Sequence, residues 1–299
     1  MQSSLSARTM REIRPQAPKV ATIARRRGPV TTPHTHPGSG TRTQDGTIDA
    51  SVDGHIGLVT INRPDKLNAM TLEMIRNFFE VTKQLDEDPD VRAIVLTGAG
   101  ERAFSAGGDL TSLLPAALEA GWDILNPDPT ARFLSSVFTP VVAAVRGTCV
   151  GAGFEILLGT DIRIAGTDSS FALAEVKWGL IPGSGTNVRL PRQLPWAIAM
   201  ELLLTGSTIS AERAERVGLI NQVVDPANVV ETALETAHRI ASNGPVATRT
   251  AKEIAVRSLS LSDAFVLEHA LNSRILGSQD AREGVSAFQE RRLPKFSGR

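Results

Sequence analysis

Cysteine is nearly missing from this chain of 299 residues. Cys149 stands alone, which excludes an intrachain disulfide framework and fits a reducing compartment. Tyrosine is absent and aromatic residues make up 4%, leaving few platforms on which single-stranded bases could stack. Net charge is absent too: 32 basic and 32 acidic residues cancel, so the chain as a whole presents no field for a polyanion. No apolar run approaches the roughly 18 residues of a membrane span. Several motifs are also lacking. There is no G-x-x-x-x-G-K-[ST] loop and no G-x-S-x-G elbow. "GSGT" at 183–186 lacks the phosphate-loop lysine, and "GAGFEI" lacks the third glycine of a dinucleotide fingerprint. No His/Cys cluster in the core has metal-ligand spacing.

What is present is a chain 41% hydrophobic, long enough for one large domain or one and a half. Charge is unevenly spread. Residues 1–46 hold eight Lys/Arg and two acids, net +6, which leaves −6 for residues 47–299. This Ser-, Thr-, Pro- and Arg-rich stretch has too little apolar surface to offset its ordering entropy and is read as disordered. Three readings stay open for it: a solvated extension or over-extended start, a transit peptide, or a nucleic-acid arm. His34 and His36 in "PHTHPG" have metal-binding side chains but little else in their favour.

Organised sequence begins near Thr47. "TIDASV" and "HIGLVTI" flank Asp53-Gly54 and predict a hairpin with a type I′ turn. Thr71 is a candidate N-cap for a helix over "LEMIRNFFEVTKQLDED", with Leu72, Ile75, Phe78, Phe79 and Val81 on its apolar side. "AIVLTG" (93–98), "VVAAV" (141–145) and "DIRIAG" (161–166) read as buried strands. Alternation of strand, turn and helix predicts an α/β layer structure with largely parallel strands. From about Asn228 onward helical patterns follow one another without strands, predicting a helical region.

Two glycine-rich turns follow predicted strands. "AFSAGGDL" (103–110) predicts a helix beginning near Asp109, and "GTCVGAGFEILLG" (147–159) one beginning near Gly153. Glycine permits close backbone approach, and a helix start leaves N–H groups unpaired, so each turn could offer one donor to an anion or developing oxyanion. An ordinary tight strand-to-helix connection is the plain reading of 103–110 taken alone. Glu155 sits in the second turn among Phe154 and Ile156, and Glu175 lies among apolar residues in "FALAEVKWGLIPG". Two carboxylates in semi-apolar settings suit general acid–base chemistry, although a helix-start glutamate facing water is the plain alternative.

Taken in order, "TINRPDKLNAM", "AFSAGGDL", "PVVAAVRGTCVGAGFEILLGTDIRIA", "FALAEVKWGLIPG", "ELLLTGSTISAERAERVGLINQVV" and "REGVSAFQERRLPKF" resemble the segments of the enoyl-CoA hydratase/isomerase (crotonase) family. The resemblance spans about 47–299 and implies an α/β fold: a crotonase-like spiral of ββα units over 47–227, with a C-terminal helical trimerisation region over 228–299. It implies an acyl-CoA thioester substrate, no metal or redox cofactor, and a homotrimer or dimer of trimers. It places oxyanion-hole N–H groups at Gly108 and Ala152, and catalytic glutamates at Glu155 and Glu175, the pair that hydratases of this family carry. CoA and substrate contacts are implied at Lys66, Leu67, Ala69, Ala106, Gly107, Asp109, Leu110 and Gly151, with Arg291 reaching CoA phosphate across a subunit boundary. The implied reaction is hydration of a 2-enoyl-CoA to a 3-hydroxyacyl-CoA. Isomerase, hydrolase, decarboxylase and dehydratase chemistry are the alternatives on the same scaffold.

The chain departs from the family pattern at Thr186 and Val188 near the expected acyl pocket, and at Thr111, where lysine is frequent. The segment 112–138 is expected to line that pocket. A nucleic-acid module working through the basic tail is disfavoured by the neutral total charge and sparse aromatics. A cytoplasmic location is expected, or the mitochondrial matrix if residues 1–46 include a transit peptide.

Overall fold

The computed structural model describes residues 24–26, 46–124 and 127–298. Its first strand, β1 (Ala24–Arg26), pairs in parallel with β2 (Thr47–Asp53), Ala24 opposite Ser51. Disorder across the whole of 1–46 is therefore corrected at these three residues. The outer edge of β2 offers unpaired backbone groups that a passing segment can satisfy. The rest of the basic stretch, His34 and His36 included, lies outside the described residues.

β2 pairs antiparallel with β3 (Ile56–Asn62), and Asp53 faces Ile56. The two-residue loop is thus Gly54-His55, one position later than the expected Asp53-Gly54. Gly54 has φ +56° while His55 stays outside the left-handed region. A type I′ turn needs positive φ at both positions, so glycine at the first one alone matches type II′ instead. Helix α1 (Leu72–Glu87) starts where expected, with the Thr71 side chain accepting the N–H of Met74. Met74, Ile75, Phe78, Val81 and Leu85 are its buried apolar residues, with Leu72 and Phe79 packed at the margin of the core.

The middle of the chain then winds as a spiral. Strand β4 (Ala93–Gly98) leads to β5 (Ala103–Ser105) and helix α2 (Leu113–Ala120). β6 (Val141–Val145) leads to β7 (Thr148–Val150) and α3 (Ala152–Leu157). β8 (Ile162–Gly166) leads to β9 (Ser170–Ala172) and a short 3-10 turn, Glu175–Trp178. Each turn gives its first strand to one sheet and its second to another. After α4 (Thr186–Gln193) and α5 (Trp196–Thr205), β10 (Thr208–Ser210), α6 (Ala211–Arg216) and β11 (Gln222–Val224) complete the sheets. Among the described residues the sheet orders are β1-β2-β3-β4-β6-β8-β11 and β10-β9-β7-β5. Of these described strand pairs, only β2–β3 and β9–β10 run antiparallel.

The apolar run of β6 follows from burial on both faces. Val141, Ala143 and Val145 join the main core with α1, while Val142 and Ala144 pack with Val229, Ala233 and Ala237 of α7 (Val229–Ala241). The helical region that begins at 228 therefore divides. α7 closes the far face of the sheet, whereas α8 (Pro245–Ser258), α9 (Leu261–Leu276) and α10 (Gln279–Gln289) extend beyond it. Val246 and Ile254 of α8 and Leu267 of α9 are exposed apolar side chains.

Candidate active site

The two glycine turns meet. Gly107 has φ +95°, and a Cβ there would stand 3.1 Å from the Val150 carbonyl oxygen, 3.2 Å from Ala152 N and 3.3 Å from Gly151 Cα. Glycine is thus required both by conformation and by close approach. Gly108 and Ala152 line one cavity, and neither donates its N–H to another group among the described residues. For Ala152 this follows from helix geometry, since it is the first residue of α3.

Gly108 arrives by another route than the expected helix start. α2 begins at Leu113, four residues beyond Asp109. Gly108 instead forms a parallel bridge to Met70: Met70 N–H donates to the Gly107 carbonyl (2.8 Å), and Asp109 N–H donates to the Met70 carbonyl (2.8 Å). The Asp109 carbonyl accepts the N–H groups of Ser112 (3.0 Å) and Leu113 (2.8 Å), and its carboxylate caps the same turn. The Asp109 carboxylate accepts the N–H (3.0 Å) and hydroxyl (2.6 Å) of Thr111 and an ion pair from Arg63 (2.7 Å). These contacts hold its carboxyl below the usual range against the opposing effect of burial. The second helix begins at Ala152, one residue before the expected Gly153.

Ala106 N–H donates to the Leu67 carbonyl (2.8 Å), so Lys66, Leu67 and Ala69 run beside Ala106, Gly107 and Asp109. Lys66 is exposed. Leu110 and Leu113 enter the cavity wall, as does Phe133, so the 112–138 segment contributes as expected. Thr186 and Val188 are buried but are not lining residues, and Arg291, exposed beyond α10, is not one either.

Glu155 and Glu175 both line this cavity of about 110 Å³. Its walls are otherwise mostly apolar, built from Ile75, Leu113, Phe133, Leu180, Ile275 and Leu276. Glu155, 5% exposed, does not face water. Its Oε1 accepts the N–H groups of Gly183 (2.7 Å) and Ser184 (3.0 Å). Burial raises its pKa, and those two N–H groups oppose the rise. Glu175 sits on the 3-10 turn, and its Oε2 is buried without a hydrogen-bond partner. Burial, and then the charge of Glu155, push its pKa up to about 8. Gly151, at φ +52°, leaves room for this side chain: a Cβ there would lie 3.3 Å from Glu175 Oε1.

Residues beyond those expected also reach the site. Asn272 of α9 lines the cavity, and Glu268, one turn earlier, is buried against the 183–187 turn. Phe265, Glu268, Asn272 and Leu276 are the buried residues of α9. Their spacing of three, four and four was readable in the sequence as one helix face carrying two polar residues.

A second line of observation joins the geometry. The enoyl-CoA hydratase/isomerase family model matches residues 51–299. The chain belongs to this family. It is 37% identical over 254 residues to the (E)-benzylidenesuccinyl-CoA hydratase of Thauera aromatica, covering 84% of this chain and 99% of that protein. It is 39% identical over 261 residues to the enoyl-CoA hydratase EchA19 of Mycobacterium tuberculosis, covering 84% and 97%. A crystal structure of carnitinyl-CoA hydratase from Mycobacterium avium matches with TM-score 0.76 and 35% identity, over 86% of this chain and all of that one (100%). The α/β spiral expected from the ordered segments is the fold of this chain, and it matches that crystal structure. Among the described residues no group of three or more His, Cys, Asp or Glu is placed to hold a metal, and no helix is long and apolar enough to cross a membrane.

Proposed function

We propose that this chain adds water across the 2,3 double bond of a 2-enoyl-CoA thioester to give a 3-hydroxyacyl-CoA. One observation carries the reading: Glu155, buried, Glu175, half-buried with its Oε2 enclosed, and two backbone N–H groups uncommitted among the described residues line a single, largely apolar cavity. The names of the relatives, hydratases of acyl-CoA thioesters, support the same chemistry.

In this reading the thioester oxygen accepts hydrogen bonds from Gly108 and Ala152 N–H, which stabilise the enolate as it forms. Each such donor contributes on the order of 3 kcal/mol to the transition state. Glu155, held by Gly183 and Ser184, takes a proton from the water whose oxygen bonds to C3. Glu175 keeps its proton near neutral pH and delivers it to C2. Proton return from Glu155 to Glu175 resets the pair, and the net change is one water added. The chain needs no metal or redox cofactor for these steps. CoA lies along Lys66–Ala69 and Ala106–Leu110, and Arg291 meets its phosphate from a neighbouring subunit.

The exposed apolar side chains of α8 and α9 support self-association as a homotrimer or dimer of trimers. Residues 47–227 form the catalytic spiral and 228–299 the helical region, with α7 serving both. A cytoplasmic location fits the lone cysteine, and the mitochondrial matrix is the alternative that processing within 1–46 would indicate.

A panel of acyl-CoA thioesters followed by mass tests the reaction. An enoyl-CoA that gains one water supports hydration. An unchanged mass with a moved double bond, loss of carbon dioxide, or release of free CoA assigns another reaction of the family.

A further inference from the structure

The turn at 183–187 sends four backbone N–H groups to two buried carboxylates from different parts of the chain. Gly183 and Ser184 donate to Glu155 of α3. Gly185 and Asn187 donate to Glu268 of α9, at 2.9 Å and 3.2 Å. The Asn187 side chain adds a further bond to Glu268 (3.3 Å) and also donates to the Pro182 carbonyl. Glu268 is 4% exposed, and a carboxylate so deeply buried is costly unless paired and hydrogen-bonded. Its partner is Arg132, 1% exposed, whose Nε donates to Glu268 Oε2 at 3.1 Å. Arg132 in turn donates to the carbonyls of Phe265 (2.8 Å) and Ala131 (2.6 Å) and lies over the Phe265 ring. Gly185, at φ +96°, fits against this pair: a Cβ there would meet Arg132 Cγ at 3.0 Å and the Phe265 ring at 3.2 Å.

An ion pair that merely joined α9 to the core would not require the backbone of the 183–187 turn as its remaining partner. Here both Glu268 oxygens accept from that turn, and the N–H groups of Gly183 and Ser184 end on Glu155. We infer that Glu268 is a positioning residue for hydration: by fixing the N–H groups of Gly185 and Asn187 it holds those of Gly183 and Ser184 on Glu155, so that α9 sets the orientation of the base. This rests on the proposed role of Glu155. Through Asn272, Ile275 and Leu276 the same helix lines the acyl cavity, so one element shapes the pocket and aims the carboxylate beside it.

The test uses the full chain with Glu268→Gln and with the paired change Arg132→Met/Glu268→Met. The pair removes both members of the Arg132–Glu268 ion pair together and keeps the test open if the single variant does not fold, as judged by circular dichroism and melting. Three quantities are compared with wild type: kcat and KM for crotonyl-CoA hydration, and Kd for the saturated thioester butyryl-CoA. A misaimed base lowers the rate without loosening the thioester. The expected result is a kcat reduced by roughly tenfold to a hundredfold, with KM and the butyryl-CoA Kd within about twofold of wild type. A folded variant with kcat within twofold of wild type overturns the positioning role, as does a fall confined to thioester binding. A wild-type chain that hydrates no enoyl-CoA overturns the proposed function itself, a separate and recognisable result.

Discussion

Glu175 is the residue whose chemistry depends most on its surroundings. Its buried Oε2 has no hydrogen-bond partner, and burial together with the nearby Glu155 charge moves its pKa from 4.5 to about 8. A carboxyl raised in the folded state stabilises the fold fully below its unfolded pKa, and that contribution is lost as pH rises through the folded value. The wild-type melting temperature is therefore expected to fall relative to that of Glu175→Gln between about pH 4.5 and about pH 8. A difference between the two proteins that stays constant from pH 4 to pH 9 would contradict the account. Hydration should decline on the alkaline side over the same upper range, because the acid that serves C2 is lost. The sequence showed both glutamates among apolar neighbours. It did not show what holds them, because Glu155 takes its two N–H groups from Gly183 and Ser184, 28 and 29 positions away.

At the scale of elements, the long pieces were legible and the short ones were not. α1 carries a capping threonine and a clear apolar face, so its limits were readable within a residue. β5, β7 and β9 have three residues each, too few for a period-two pattern to emerge. β5 and β7 carry the glycine turns, so the pattern at 103–110 predicts a helix near Asp109 and hides the bridge from Gly108 to Met70. α9 shows what one helix can govern. Leu276 lines both the cavity of about 110 Å³ that holds Glu155 and Glu175 and a neighbouring cavity of about 640 Å³ bordered by α2 and Arg282. Leu276→Ala should join the two and raise kcat/KM for longer 2-enoyl-CoA chains relative to crotonyl-CoA. It should also lower stability by about 2–5 kcal/mol, the usual range for such a truncation. A chain-length profile identical to wild type would show that Leu276 is not the barrier.

For the whole molecule, the strand order of the spiral was not written in any repeat of residues. The ββα rhythm repeats in three dimensions because each turn must bury one strand in each sheet, a requirement many apolar sequences satisfy. α7 illustrates the same limit. Its pattern reads as another helix of the C-terminal region, yet its alanines pack on β4, β6 and β8. The apolar faces left beyond it belong to α8 and α9. If the proposed trimer forms through them, Ile254→Asp combined with Leu267→Asp is expected to leave a monomer on sedimentation, and a mass unchanged from wild type would place the interface elsewhere. The proposed action of Glu155 and Glu175 as one unit is tested by crotonyl-CoA hydration with wild type, Glu155→Gln, Glu175→Gln and the double variant. Each single change should slow turnover by about a hundredfold or more, and the double variant should be little slower than the worse single one. Full turnover in both single variants would contradict it.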